Sequence, residues 1–252
     1  MNESFNILKT KGISKIYGAI LILSIWHIAS IIIDSNIVPS PVLSIPHFIK
    51  AILEKDLIFH IIHSLKRITV SIVLSVVIGL PLGILMGMSR KWEYILRPLI
   101  YIGYPIPKIA FLPVMMIIFG LGDNSKIALI FSIIIFQIVI GTRDAIKEIP
   151  NEVHLSAKSL NLNLKFKIIH IIIPSILPKL LTALRISIGI SISALFFAEN
   201  FATSYGIGYF IMNSFLMVDY MSMFSGIIAI SLMGLLIFKI IDKIEKRLCG
   251  WL

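Results

Sequence analysis

Lys108, Arg185 and Glu199 are the ionisable residues that most need a chemical explanation, because each falls within or at the end of a long apolar run. A charged side chain at the centre of a bilayer costs about 2.5–3.5 kcal/mol on insertion scales, so such a residue marks a pathway or gate by default. Glu199, followed by Asn200, has two readings: an acid on a solute pathway, or an acid hydrated at the membrane surface. Arg185 could face a pathway and attract an anion, or snorkel towards the headgroups. Lys108 follows Pro105 and Pro107, which break a helical backbone. Broken helices at membrane depth are tolerated where they line a cavity or are buried in protein. A gate and a packing kink both fit that pattern.

Covalent chemistry has no comparable support. His60 and His63 are spaced i, i+3 with Glu54 and Asp56 nearby, but a metal site needs a fuller ligand set. No Ser/His/Asp set shares one face of a membrane. No G-x-x-x-x-G-K-[ST] phosphate loop occurs, and Gly120-Leu121-Gly122 is followed by Asp and Asn, so it reads as a turn between spans. Cys249 is the single cysteine, which excludes an intrachain disulfide framework. The sequence therefore predicts no catalytic residue, no metal and no cofactor held by this chain.

The elements that position these charges are set by composition. Of 252 residues, 58% are hydrophobic and 14% charged, with a net charge of +10 and a mean hydropathy of +0.98. Soluble domains are about 25% charged. An ordinary cytosolic enzyme, a disordered chain and a nucleic-acid-binding domain are excluded. The expectation is an all-α polytopic membrane protein with six transmembrane helices, near 15–34, 66–88, 98–120, 126–143, 176–198 and 221–241. Gly79, Pro81, Gly83 and Gly87 in the second span suit close helix approach. Gly206 and Gly208 suit a turn before the last span.

Basic residues orient these spans. With the N-terminus inside, Lys50, Lys55, Lys66, Arg67 and Lys126 fall outside, Lys108 and Arg185 within spans, and the other sixteen of the 23 inside. Both termini are then cytoplasmic, and the positive balance is a topology signal. The organisation expected is a cytoplasmic segment and first helix over 1–35, an outer segment over 36–63, a core over 64–245 and a tail over 246–252. The outer segment carries an amphipathic stretch around Phe48, Ile49, Ile52 and Leu53, fit to lie on the interface.

The inner loop 143–175 predicts two short helices. Pro150 suits a first helical position, and Glu152 complements the helix dipole. Val153, Ala157 and Leu160 make one apolar face. Asn161 suits a left-handed ending, and Asn163 a cap on a second helix bearing Lys165, Phe166, Ile169 and His170. Pro174 is expected to end that helix and Pro178 to open the next span. Such a knob fits a groove on a soluble partner or packs on the membrane surface.

The segment Leu155-Ser156-Ala157-Lys158-Ser159-Leu160-Asn161, with Ile173-Pro174 and Leu177-Pro178, resembles the Glu-Ala-Ala loop of binding-protein-dependent ABC importer permeases. Val38-Pro39-Ser40-Pro41, Gly79-Leu80-Pro81-Leu82-Gly83, residues 105–113, residues 119–127 and Ala198-Glu199 through Gly206-Ile207-Gly208-Tyr209 narrow the resemblance to the nitrate/sulfonate/taurine branch. It runs from about residue 36 to about 245. Leu155 stands where the motif has Glu, Ser156 replaces its first Ala, and Asn161 its Gly. Asn tolerates positive φ, and Glu152, one turn earlier, offers a substitute charge.

The resemblance implies a permease subunit of importer-permease (type I) architecture that does no covalent chemistry. It implies a permease homodimer in the lipid bilayer of the cell membrane, a separate ATP-binding subunit holding ATP and Mg, and an external substrate-binding protein. Glu152, Val153, Leu155, Ser156, Ala157, Leu160 and Asn161 would couple to the ATPase. Pro105, Pro107, Lys108, Arg185 and Glu199 would line a pathway or gate. The implied solute is a nitrate-, sulfonate- or taurine-like anion or a heterocyclic vitamin precursor. An ion-coupled secondary transporter is the alternative, but it would show inverted repeats and mid-membrane acids.

Overall fold

The computed structural model describes residues 2–33, 37–54 and 56–250. Every element in them is helical: α1 (Asn2–Ile33), α2 (Pro41–Leu53), α3 (Asp56–Met88), α4 (Arg90–Gly103), a 3₁₀ turn (Lys108–Phe111) and α5 (Leu112–Phe119). Then follow α6 (Asp123–Lys147), α7 (Asn151–Ser159), α8 (Leu164–Lys167), a π turn (Ile168–Ile172), α9 (Ile173–Glu199), α10 (Ile207–Leu216) and α11 (Tyr220–Leu248). The chain divides into two units: one takes the residues up to Ile58 and Phe210–Ala229, the other Phe59–Tyr209 and the residues from Ile230 on.

Among the described residues, four helical runs are long and apolar enough to cross a membrane: α3, α6, Leu164–Glu199 and α11. The expected third span, 98–120, is not one helix. It is the pair α4 and Lys108–Phe119, bent by 86°. Pro105 and Pro107 cause the break, since each lacks an N–H and each disfavours the α conformation in the residue before it. The next proline, Pro113, falls in the first turn of α5, where a missing donor is harmless. The expected first span lies in α1, whose apolar stretch Tyr17–Ile33 is about 25 Å long at 1.5 Å per residue, shorter than a bilayer core. Helix α3 starts ten residues before the expected second span, so residues 56–63 of the expected outer segment are its first turns.

In the first unit, Trp26 Nε1 donates to the Pro39 carbonyl at 3.0 Å and its ring stacks on Phe224 at 5.6 Å. His47 Nδ1 lies 3.0 Å from Ser225 Oγ. Asp219 precedes α11 and accepts the Ser222 N–H at 3.0 Å, a helix cap. Helix α2 exposes Val42, Leu43, Ile49 and Leu53, an apolar surface suited to lipid.

In the second unit, the glycines of α3 run along α6. A Cβ on Gly79 would meet Ile138 at 3.0 Å, one on Gly83 the Val139 carbonyl at 2.9 Å, and one on Gly87 Ile146 at 2.8 Å. This four-residue repeat lets the two backbones approach as membrane helices without a hydrophobic driving force must. A Cβ on Gly141 would meet Ala183 of α9 in the same way, at 3.0 Å, so α6 packs on α9 as well.

The inner loop differs from the expected pair of separate helices. Helix α8 runs without interruption through the π turn into α9, so Leu164–Glu199 is one span. Pro174 therefore does not end a helix and Pro178 does not open one. The widened turn stands immediately before Pro174, where the ring and missing N–H would disrupt a regular α ladder. Asn163 caps this run as its position predicts, accepting the Phe166 N–H at 2.7 Å. Asn161 takes φ 49°, and the Leu162 N–H reaches the Ala157 carbonyl at 3.2 Å, closing α7 in a Schellman ending.

Candidate functional site

The second unit carries a polar stripe inside an apolar helix. His60, Ser64, Arg67, Ser71 and Ser75 of α3 are all buried, and their steps of four, three, four and four residues keep them on one face. Arg67 is at its centre and is fully enclosed. Its Nη1 donates to Glu199 Oε1 at 2.6 Å and to the Tyr205 carbonyl at 3.1 Å, and its Nε to Asp123 Oδ1 at 2.9 Å. Its guanidinium also lies 4.9 Å from the centre of the Tyr205 ring. Lys66 adds a second cation to Asp123, at 3.2 Å.

Glu199 is likewise fully buried, which removes the reading of an acid hydrated at the surface. Ser64 Oγ lies 2.7 and 2.9 Å from its two oxygens, and the Gly208 N–H donates to Oε2 at 2.8 Å. The Gly206 N–H donates to His60 Nδ1 at 3.0 Å and the Ile207 N–H to Ser64 Oγ at 2.8 Å. Three successive amides at the start of α10 are thus taken up by side chains of α3 and α9. A carboxylate there complements the positive end of the helix dipole. Gly206 has φ +124°, and a Cβ on it would fall 2.6 Å from Glu199 Oε1. Only glycine lets the turn close over the acid. The His63 ring packs on Tyr205 at 4.3 Å and on Phe59 at 4.5 Å.

Lys126, expected on the outer surface, is fully buried; its Nζ donates to the carbonyls of Leu121 at 2.6 Å and Ala202 at 3.3 Å. Arg185 does not stand free on a pathway. It pairs with Asp242 at 2.9 Å and with Glu245, joining α9 to α11.

Lys108 lies at the break between α4 and α5. Its Nζ donates to the carbonyl of Gly103, to that of Ile106 at 3.1 Å and to that of Tyr104 at 3.4 Å. It also lies 4.5 Å from the centre of the Phe136 ring. A Lys on the last carbonyls of a helix is a C-terminal cap. The same residue lines a cavity of about 340 Å³ with Tyr104, Pro107, Phe136, Gln137 and Ile190. Gln137 Nε2 donates to Tyr104 Oη at 2.7 Å. Lys108, Pro105 and Pro107 are thus brought together at the break, while Arg185 and Glu199 belong to two other clusters.

The expected apolar face of the inner loop is divided. Ala157 is 3% exposed, and Val153 packs on the cluster of Ala145, Ile146, Ile149, Ile172 and Ile176. Leu155 and Leu160 are 63% and 70% exposed, beside exposed Glu152, Ser156 and Asn161. Val153 and Ala157 anchor α7; the face it offers is built on Leu155 and Leu160.

Sequence reasoning missed Arg67, Ser64, His60 and Asp123 as one cluster. The available signal was the spacing of the polar residues in α3, which has the period of a buried helix face.

A family model described as the binding-protein-dependent transport system inner membrane component matches residues 79–249. The taurine transport system permease protein TauC of Escherichia coli (strain K12) is 30% identical over 194 residues, covering 76% of this chain and 70% of that protein. The formylaminopyrimidine transport permease protein ThiX of Halalkalibacterium halodurans is 28% identical over 234 residues, covering 92% of this chain and 93% of that protein. A solved structure of the MetNI methionine ABC transporter in an inward facing conformation matches with a TM-score of 0.66 at 20% identity, over 76% of this chain and 95% of that one. That likeness bears on the fold alone. The chain belongs to the family of binding-protein-dependent transport system inner membrane components, and it is a permease subunit of an ABC importer of the nitrate/sulfonate/taurine type.

Proposed function

We propose that this permease works as one of a pair in the cell membrane, coupled through α7 to a separate ATP-binding subunit and supplied by an external binding protein. The observation that carries the coupling is α7 itself. It is a short helix anchored by Val153 and Ala157, with Leu155 and, just past its end, Leu160 left exposed. Exposed leucines on a short helix suit insertion into a partner's groove. Glu152, Ser156 and Asn161 are exposed as well. ATP and Mg belong to the partner, since this chain has no phosphate-binding loop.

The basic residues support cytoplasmic termini, and they put α7 on the cytoplasmic face with them. The relatives named for taurine and for formylaminopyrimidine support two solute classes: a sulfonate-like anion and a heterocyclic vitamin precursor. Lys108 at the broken span, whose polar partners among the described residues are carbonyls, favours the anion.

The test is to purify the tagged permease in mild detergent and identify what accompanies it, then reconstitute the complex. Leu155→Asp and Leu160→Asp should leave the permease folded and lower ATP-driven uptake at least about tenfold, by placing a charge in an apolar groove. Unchanged uptake in both variants would remove the docking reading. Ala157→Asp does not serve, because it would bury a charge under α7.

A further inference from the structure

We propose that the cavity at the break between α4 and α5 is an anion subsite on the transport path, with Lys108 as its charge and Gln137 and Tyr104 as its hydrogen-bonding groups. The proposal rests on the importer reading given above and specifies the site that reading leaves open.

Charge comes first. Arg67 pairs with Asp123 and Glu199, and Arg185 with Asp242 and Glu245; Lys126, which donates to the Leu121 and Ala202 carbonyls, is fully buried and lines no part of this cavity. Among the described residues, the polar partners of Lys108 are all neutral carbonyl oxygens, joined by the face of Phe136. An ammonium in a weakly polar setting without a counter-charge attracts any anion that reaches it.

Access and shape agree with this. The cavity holds about 340 Å³, within the range of about 300–1,000 Å³ usual for small-molecule sites. Its walls are apolar, from Ile106, Pro107, Ile133 and Ile190, with Lys108, Gln137 and Tyr104 as polar groups. Few polar groups on an apolar wall is the composition of a site that orients a small solute. A discontinuous membrane helix beside the cavity places irregular backbone where solute sites form.

Capping of α4 and anion binding by Lys108 are compatible. The carbonyls hold the ammonium at the cavity wall while the solute is absent, and an oxyanion can take one of its N–H bonds without moving the helix. Gln137 and Tyr104 hold each other at 2.7 Å, so each keeps a free polar atom for the solute.

Cysteine chemistry tests this directly, because the chain has one native cysteine, Cys249, and it is buried. Gln137→Cys in a Cys249→Ser background places one thiol in the cavity. Its reaction with an anionic and a cationic methanethiosulfonate is measured in a neutral detergent, each rate divided by that for a free thiol. The anionic reagent should react at least about tenfold faster. Lys108→Met, or Lys108→Gln should the first variant not fold, should abolish the preference, and Lys108→Arg should keep it. Ethanesulfonate should slow labelling of the parent and not of Lys108→Met. A preference that survives loss of the charge, no preference, or a thiol reached by neither reagent overturns the proposal. So does protection by phosphatidylglycerol in place of ethanesulfonate. The labelling reads the field of Lys108 whether or not an ATPase accompanies the chain, so failure of the importer reading is seen separately at purification.

Discussion

At the scale of single residues, Arg67 and Glu199 carry the largest electrostatic stake. Each is fully buried, and each has its charge met by the other. Removing one partner of such a pair costs about 3–5 kcal/mol, because the remaining charge stays buried without compensation. Arg67→Met should therefore lower thermal stability in detergent strongly. Glu199→Gln should cost less, since the amide oxygen still accepts from Ser64 and Gly208 and Asp123 still faces Arg67. Equal losses for the two would mean that the retained Ser64 and Gly208 bonds and Asp123 do not make up for the lost carboxylate. Asp219 is a smaller case. Burial pushes its carboxyl up, but the bonds from Ser222 outweigh this and hold it below its ordinary value. Its contribution is complete at neutral pH and is lost only as the pH falls below about 4, through the depressed value. At neutral pH, Asp219→Ala should cost about 0.5–2 kcal/mol through loss of the cap on α11, read as a lower unfolding temperature.

At the scale of elements, the contact between α3 and α6 depends on missing side chains. Gly79, Gly83 and Gly87 keep the backbones close, and a Cβ on Gly83 would meet Thr142 Cγ2 at 2.9 Å. Gly83→Val should destabilise by about 1–3 kcal/mol, the usual cost of overpacking. An exposed control such as Val77→Ala should have little effect, and an equal loss at both positions would remove the close-approach account. The glycine spacing was legible in the sequence because helix periodicity alone puts the three on one face. The run from Leu164 through Pro174 and Pro178 to Glu199 was not. Prolines predict breaks from local sterics, and here a π turn and neighbouring helices carry the backbone through them.

At the scale of the whole molecule, the reading concerns coupling. A conformational change must draw its energy from contacts that differ between states. The exposed leucines of α7 and the broken span at Lys108 are two places where this permease can make such contacts. The double variant Leu155→Asp/Leu160→Asp should leave ATP hydrolysis by the reconstituted complex no longer stimulated by the loaded binding protein. Preserved stimulation would place the coupling elsewhere on the chain.

The sequence alone determined the class, the approximate places of most spans, the break at Pro105 and Pro107, the left-handed ending at Asn161 and the cap at Asn163. These follow from apolar length, proline sterics and side-chain hydrogen bonds made within a few residues, all local properties of the chain. Tertiary structure decided what each charge does. Glu199 and Arg67 are separated by 132 positions, and nothing near either residue reveals that they meet. Arg185 finds its acids on α11, far along the chain. Ala157 and Leu160 share a sequence pattern, yet one is buried and the other exposed, because only the packing of α7 on its neighbours sets which side of the helix faces out. Charges in an apolar medium must find partners, but the chain's own sequence does not say which partner is within reach.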